Sequence, residues 1–255
     1  MELNYKVFGE GEPVLILHGM FGTLDNWQTI AKKLAEHFMV FIIDLRNHGR
    51  SPHSEDFDYS IMAADIQDFM EKNWIYEAYV VGHSMGGKVA MQLATDNPDM
   101  VKKLVVVDIA PKAYKGNHQI IFEALFALDL ATLSSRKEAD EQLATRIESY
   151  GVRQFILKNL HINKTTKQYE WKMNLPVIHK AYHHILGKSN LAEPYEEATL
   201  FVKGANSSYI LPEEFESYLE YFPNAELAII ENAGHWVHAE QPKEFLSVLS
   251  NFLLN

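Results

Sequence analysis

Cysteine is absent from the 255 residues of this chain, which excludes disulfides, thiolate catalysis and cysteine-bound zinc. No run of 18 apolar residues occurs, so nothing reads as a membrane-spanning helix. Positive charge is scarce: 23 Lys and Arg stand against 34 Asp and Glu, a formal net charge of −11. Neutralising phosphates takes clustered cations, and without a basic stretch to supply them no nucleic-acid partner is expected. The opening residues MELNYKVFGE lack the basic start and apolar core of a signal peptide, and a cytoplasmic protein is the expectation. Internal repeats and low-complexity tracts are also missing.

What is present is apolar material in short pieces. Hydrophobic residues make up 47% of the chain, enough to fill one sizeable core. Val14 to Leu17 precedes HGMFG, Val40 to Ile43 precedes DLRNHG, and Tyr79 to Val81 precedes GHSMGG. Leu104 to Val107 precedes DIAP, Leu200 to Val202 precedes KGANSS, and Leu227 to Ile230 precedes ENAGHW. Runs this short and β-branched, without polar alternation, predict strands of a parallel sheet covered on both faces. Helical spacing fills the gaps: Trp27, Ile30, Ala31 and Leu34 within 24–36, Ile61, Ile66, Phe69 and Met70 within 59–72, then Met85, Val89 and Leu93. Strands alternating with helices indicate a right-handed βαβ series, an α/β fold whose ligands sit beyond the carboxyl ends of the strands. Each polar turn above falls at such an end.

The alternation fails between 112 and 192, where Ile121, Leu125 and Leu128, then Leu143 and Ile147, then Val152, Phe155 and Ile156, and finally Leu175, Ile178, Tyr182 and Ile185 keep helical spacing. An all-helical insertion is expected there, lying over the strand ends as a cap that shapes a pocket. Residues 1–111 and 193–255 would form the core.

Gly82-His83-Ser84-Met85-Gly86 fits G-x-S-x-G between a predicted strand and a predicted helix, the context in which that pattern forms a nucleophile elbow. Ser84 is the candidate nucleophile. The helix N-terminus behind it offers free N–H groups to a developing oxyanion. A serine hydroxyl needs a base at neutral pH, and of twelve histidines His235 has the right position, in the loop after the last predicted strand. His235 and His238 also form H-x-x-H, but with no third ligand at suitable spacing no metal is expected. The acid that orients the base should stand at a strand end. LFVKGANSSYILPEE, after the penultimate strand, offers nothing before Glu213 and Glu214, whereas Asp108 ends the preceding strand. Asp108 is the candidate acid, with Ser207 as an auxiliary hydrogen-bond partner. Backbone N–H groups of Met20 and Met85 are the candidate oxyanion donors, with Phe21 as fallback for the first. Phe21 and Trp236 are candidate pocket residues, Trp236 beside the base being expected to line the acyl site.

Taken together, HGMFGTLDNW, DLRNHGRSPH, VVGHSMGGKVAM, VVDIAP and AGHWVHAE resemble the α/β-hydrolase superfamily and, more narrowly, the YbfF-type carboxylesterases, over essentially the whole chain including WKMNLPVI. The resemblance implies a mostly parallel central sheet flanked by helices with an inserted cap. It also implies cofactor-free hydrolysis of small to medium carboxylic esters or thioesters through an acyl-enzyme. It matches Ser84, His235 and Asp108 as nucleophile, base and acid, and the missing acid in KGANSS suits the narrower group. Two other classes share the fold. A lyase or C–C bond hydrolase with the same triad would place cations such as Arg146, Arg153 or Lys158 in the pocket, and a non-catalytic ligand-binding protein would have lost a triad member, of which none is missing.

Overall fold

The computed structural model describes residues 1–116 and 118–255. The chain enters through β1 (Tyr5–Phe8), β2 (Pro13–Leu17), α1 (Gln28–Leu34), β3 (Met39–Ile43), α2 (Tyr59–Lys72), β4 (Ala78–His83), α3 (Met85–Asp96) and β5 (Val101–Val107). It then passes through α4 (Gln119–Ala127), α5 (Arg136–Ala144), α6 (Tyr150–Leu157), β6 (Leu160–Ile162), β7 (Tyr169–Trp171), α7 (Leu175–Lys180) and α8 (Tyr182–Leu186). It returns through β8 (Thr199–Gly204), β9 (Ala225–Ile230), α9 (Val237–Glu240) and α10 (Pro242–Leu254).

Seven strands form one sheet in the order β1-β3-β2-β4-β5-β8-β9. All neighbours are parallel except β1 and β3. Alternate residues of each strand feed opposite faces. Leu15, Leu17, Val80, Leu104 and Val106 pack with α2 and α3, while Val14, Ile16, Val81, Val105 and Val107 pack with Trp27, Ile30 and Leu34 near α1 and with Phe245, Leu249 and Leu253 of α10. Covering both faces explains why the predicted strands β2, β3, β4, β5 and β8 carry no polar alternation, whereas β9 at the sheet edge keeps Ile229 exposed.

Three local differences from the sequence reading have physical causes. The edge strand β1 was not foreseen, because its four residues alternate in exposure instead of forming an apolar run. The helix expected over 24–36 is a 3₁₀ turn at Leu24–Asn26 followed by α1. The break falls at the buried Trp27, and the turn is fixed by the Thr23 N–H donating to Asn26 Oδ1 at 2.7 Å. The insertion at 112–192 is not all helical: α4 to α8 are joined by the antiparallel hairpin β6–β7. Strands of three residues leave no periodicity to detect. Their turn is set locally by Asn163 Oδ1, which accepts from Thr165 N–H at 2.8 Å and Thr166 N–H at 3.1 Å, and by Lys167 at φ +61°. Among the described residues no helix is long and apolar enough to cross a membrane.

Candidate active site

Ser84 stands between β4 and α3 at φ +53° and ψ −120°, a region that L-residues occupy only under constraint. Backbone crowding supplies the constraint. A Cβ on Gly82 would fall 2.2 Å from the Gly86 carbonyl oxygen, and one on Gly86 would fall 2.5 Å from that of Leu17. Ser84 N–H donates to the Val107 carbonyl at 2.9 Å, tying the turn to the end of β5. The two flanking glycines of the motif are therefore what lets the serine rise above the sheet.

The structure brings Ser84, His235 and Asp108 together. His235 Nε2 lies 3.0 Å from Ser84 Oγ, and His235 Nδ1 lies 2.8 Å from Asp108 Oδ2. Asp108 is fully buried at the end of β5, itself at φ +51°. Gly204 N–H donates to its Oδ1 at 3.2 Å, and Ser207 Oγ donates to its Oδ2. Ser207 therefore stands where the sequence lacked an acid, while Glu214 is turned away into an ion pair with Lys112. The imidazole of His235 stacks on Tyr209, with centroids 4.1 Å apart and planes 20° apart. Lys203, buried at the end of β8 and not foreseen, donates to the carbonyls of Gly204 at 2.9 Å and Ser207 at 2.5 Å. Its amine thereby pins the loop that presents Ser207.

The other histidines near the strand ends are buried and hydrogen-bonded or stacked within the fold. His83 Nε2 lies 2.8 Å from the carbonyl of His235. Burial, then the neighbouring His235 and His238, hold it well below the usual imidazole range. His238 stacks on Trp27 at 4.0 Å and 11°, and burial lowers its pKa to about 3. Among the described residues no group of three or more His, Asp or Glu could hold a metal ion.

Two histidines shape the turn after β2. His18 Nδ1 lies 2.8 Å from the Gly19 carbonyl, and its Nε2 accepts from Leu45 N–H at 3.0 Å. His48 Nδ1 lies 3.0 Å from the Arg46 carbonyl, and its Nε2 accepts from Phe21 N–H at 3.3 Å. In both rings the proton belongs on Nδ1 and the imidazole is neutral, because burial lowers the pKa to about 4 in His18 and about 3 in His48. The bond to His48 engages the Phe21 N–H, so the fallback oxyanion donor is already committed. Among the described residues no acceptor meets the N–H of Met20 or Met85. Asn159, from the insertion, donates through Nδ2 to the Phe21 carbonyl at 2.6 Å and holds the same turn from above. No sequence signal singles out Asn159; His48 carried one, standing in DLRNHG at a strand end.

Two cavities meet at Ser84. One, of about 130 Å³, is lined by Met85, Ile109, Tyr114, Lys115 and Ile185 among others. The second, of about 270 Å³, is lined by Phe21, Ile121, Phe155, Ile156, His235 and Trp236. Met20, Ser84, His118 and Tyr209 border both. Phe21 and Trp236 thus lie at the site as expected from sequence. Of the cations considered, Arg153 is spent on Asp140 Oδ1 and on the carbonyls of Ile147 and Glu148, each at 2.8 Å, and Arg146 is exposed.

Residues 12–242 match the family model described as the alpha/beta hydrolase fold. The chain belongs to the α/β-hydrolase family. It is 38% identical to a Danio rerio protein named sn-1-specific diacylglycerol lipase ABHD11, over 99% of this chain and 83% of that protein. It is 36% identical to Escherichia coli (strain K12) Esterase YbfF, over 94% of this chain and 92% of the other, which bears out the narrower resemblance read from the motifs. Among solved structures it is similar to one titled "Marine microorganism esterase", with a TM-score of 0.95, 41% identity, and coverage of 98% of this chain and 99% of that one. The mostly parallel sheet is the fold that this α/β-hydrolase family shares.

Proposed function

We propose that this α/β-hydrolase is a serine carboxylesterase acting on small to medium carboxylic esters, with thioesters open to the same chemistry. The observation that carries the reading is the unbroken path Ser84 Oγ, His235 Nε2, His235 Nδ1, Asp108 Oδ2 at the junction of two cavities that mix apolar and polar side chains. His235 takes the Ser84 proton as Oγ attacks the carbonyl carbon. The oxyanion is held by the N–H groups of Met20 and Met85, a reading supported by the lack of any other acceptor for either among the described residues. Asp108 keeps the Nδ1 proton in place and stabilises the imidazolium, with Ser207 holding the carboxylate. Collapse breaks the bond to the alcohol, which leaves with the proton from His235. Water, deprotonated by His235, then releases the acid and restores Ser84. Residues 112–192 act as the cap, lending α4, α6 and α8 to the cavity walls.

The esterase and lipase names of the relatives support an ester substrate, and the presence of all three polar residues argues against a binding protein that has lost its chemistry. Ser84→Ala is expected to abolish ester hydrolysis with the fold retained, and a serine-directed phosphonate to label the wild type alone. Undiminished turnover in the alanine variant would end the reading.

A further inference from the structure

The two cavities at Ser84 are not interchangeable, and the proton path distinguishes them. On the serine-esterase reading above, the leaving oxygen must receive its proton from His235 Nε2, so it stands within hydrogen-bond reach of that atom when its bond to the acyl carbon breaks. His235 lines the larger cavity and not the smaller. Met85, whose N–H faces the oxyanion, lines the smaller and not the larger. The carbonyl carbon carries three other groups at this stage: the bond to Ser84, the oxyanion and the acyl chain. With the leaving group directed toward His235, the acyl chain is left the cavity on the Met85 side.

We infer that the cavity walled by Phe155 and Trp236 receives the leaving alcohol or thiol, and that the cavity walled by Ile109 and Ile185 receives the acyl chain. This moves Trp236 from the acyl site, where its place beside the base suggested it, to the leaving-group side. The leaving-group cavity also has a continuation. Val152, Phe155 and Trp236 line both it and an adjoining groove of about 440 Å³, which reaches Asn26, Gln154 and Lys158. The rings of Phe155 and Trp236 lie 5.5 Å apart at 49° between the two spaces. One ring comes from α6 of the insertion and the other from the loop of the base. This pair sets how long a leaving group the enzyme accepts, and the substrate class follows: esters whose larger apolar part belongs to the alcohol or thiol, with the modest part in the acid.

The test uses two ester series that share ethyl acetate: alkyl acetates from ethyl to decyl, and ethyl esters of acids from acetic to decanoic. For each, kcat/KM is read as a ratio to ethyl acetate in the wild type, Trp236→Ala, Phe155→Ala and Ile185→Ala. Opening the ring pair is expected to raise the decyl acetate ratio about tenfold, the effect of burying roughly two more methylenes, and to move the ethyl decanoate ratio less than about threefold. Ile185→Ala is expected to do the reverse. Trp236→Ala or Phe155→Ala shifting the acid series instead of the alcohol series would overturn the assignment while leaving the esterase reading intact. Failure of the wild type to hydrolyse any ester, with no phosphonate label on Ser84, would overturn both.

Discussion

The strand ends and the insertion meet over the same serine but are built differently. At the strand ends, positions are dictated by backbone: Ser84 and Asp108 both take positive φ, Gly82 and Gly86 allow main chains to touch, and Asp108, His18 and His48 are buried with their polar atoms partnered. The insertion lines the site with apolar side chains such as Ile121, Phe155 and Ile185 and with polar ones such as Tyr114, Lys115 and His118, none of them in the Ser84–His235–Asp108 path. Polar ties join the regions, among them Tyr114 Oη donating to the Tyr209 carbonyl at 2.8 Å and Tyr59 Oη donating to the Ile185 carbonyl at 2.6 Å. Buried Lys88 of α3 donates to the carbonyls of Lys112 and Gly187, clasping both ends of the insertion, and Asn159 reaches down to Phe21. Chemistry is therefore expected to fail steeply on changes at the strand ends and selectivity to drift on changes in the insertion.

The sharpest test of that division is the acid. Asp108→Asn keeps the shape but presents an amide where His235 Nδ1–H needs an acceptor, favouring the wrong tautomer. In the serine protease template the same exchange lowers the rate about 10⁴-fold. Ser207→Ala removes one hydrogen bond, from a neutral donor, to the same carboxylate and is expected to lower kcat about tenfold. Steady-state kinetics on both variants with one ester checks the order. Near-normal Asp108→Asn beside a collapsed Ser207→Ala would move the third role off Asp108.

Acid should undermine the strand ends and the insertion together. His18, His48 and His238 are neutral in the fold, with pKa values lowered by burial to about 4, about 3 and about 3; in the unfolded chain they titrate near the ordinary value of about 6.5. Below that value the unfolded state binds more protons, so stability is full above pH of about 6.5 and is lost as pH falls toward the folded values. The insertion adds His118, likewise lowered to about 4 by burial. Denaturant titrations at pH 7 and pH 5 are expected to differ by several kcal/mol, on the order of 1.4 kcal/mol per group per pH unit at most. Equal stability at the two pH values would show that these rings are hydrated or charged in the native state.

The same division explains what the sequence made legible. Covered strands announce themselves as unbroken apolar runs, and the turns that follow them carry glycine, serine, histidine and aspartate in a spacing that few other arrangements need. Ser84, His235, Asp108 and Ser207 could therefore be named before their distances were known. Lys203, Lys88 and Asn159 could not. Each acts on backbone carbonyls, such as Gly187 for Lys88, Phe21 for Asn159 and Ser207 for Lys203, and a carbonyl is present at every residue. The hairpin β6–β7 stayed hidden because three residues are too few for a period, and β1 because an edge strand needs only half a face of apolar residues.

Asn159 is where the two regions can be tested against each other on the smallest scale. Its amide is buried, and it donates to the Phe21 carbonyl at 2.6 Å and to that of Ile156 at 3.3 Å. Phe21 sits at φ +60°, immediately after Met20. Asn159→Ala leaves a buried carbonyl without its donor, which costs about 1–3 kcal/mol of stability, and frees a strained turn to relax. Relaxation re-aims the Met20 N–H. Complete loss of one such donor costs about 10²–10³ in kcat, so a partial misalignment is expected to lower kcat about tenfold with KM changed little. Asn159→Asp, which cannot donate and brings a charge to the same carbonyl, should do worse. Thermal melts alongside kcat and KM separate the cases: a lowered melting point with kcat intact would make Asn159 a packing residue of the insertion, whereas a fall in kcat with KM preserved would show that the insertion helps to set the oxyanion turn.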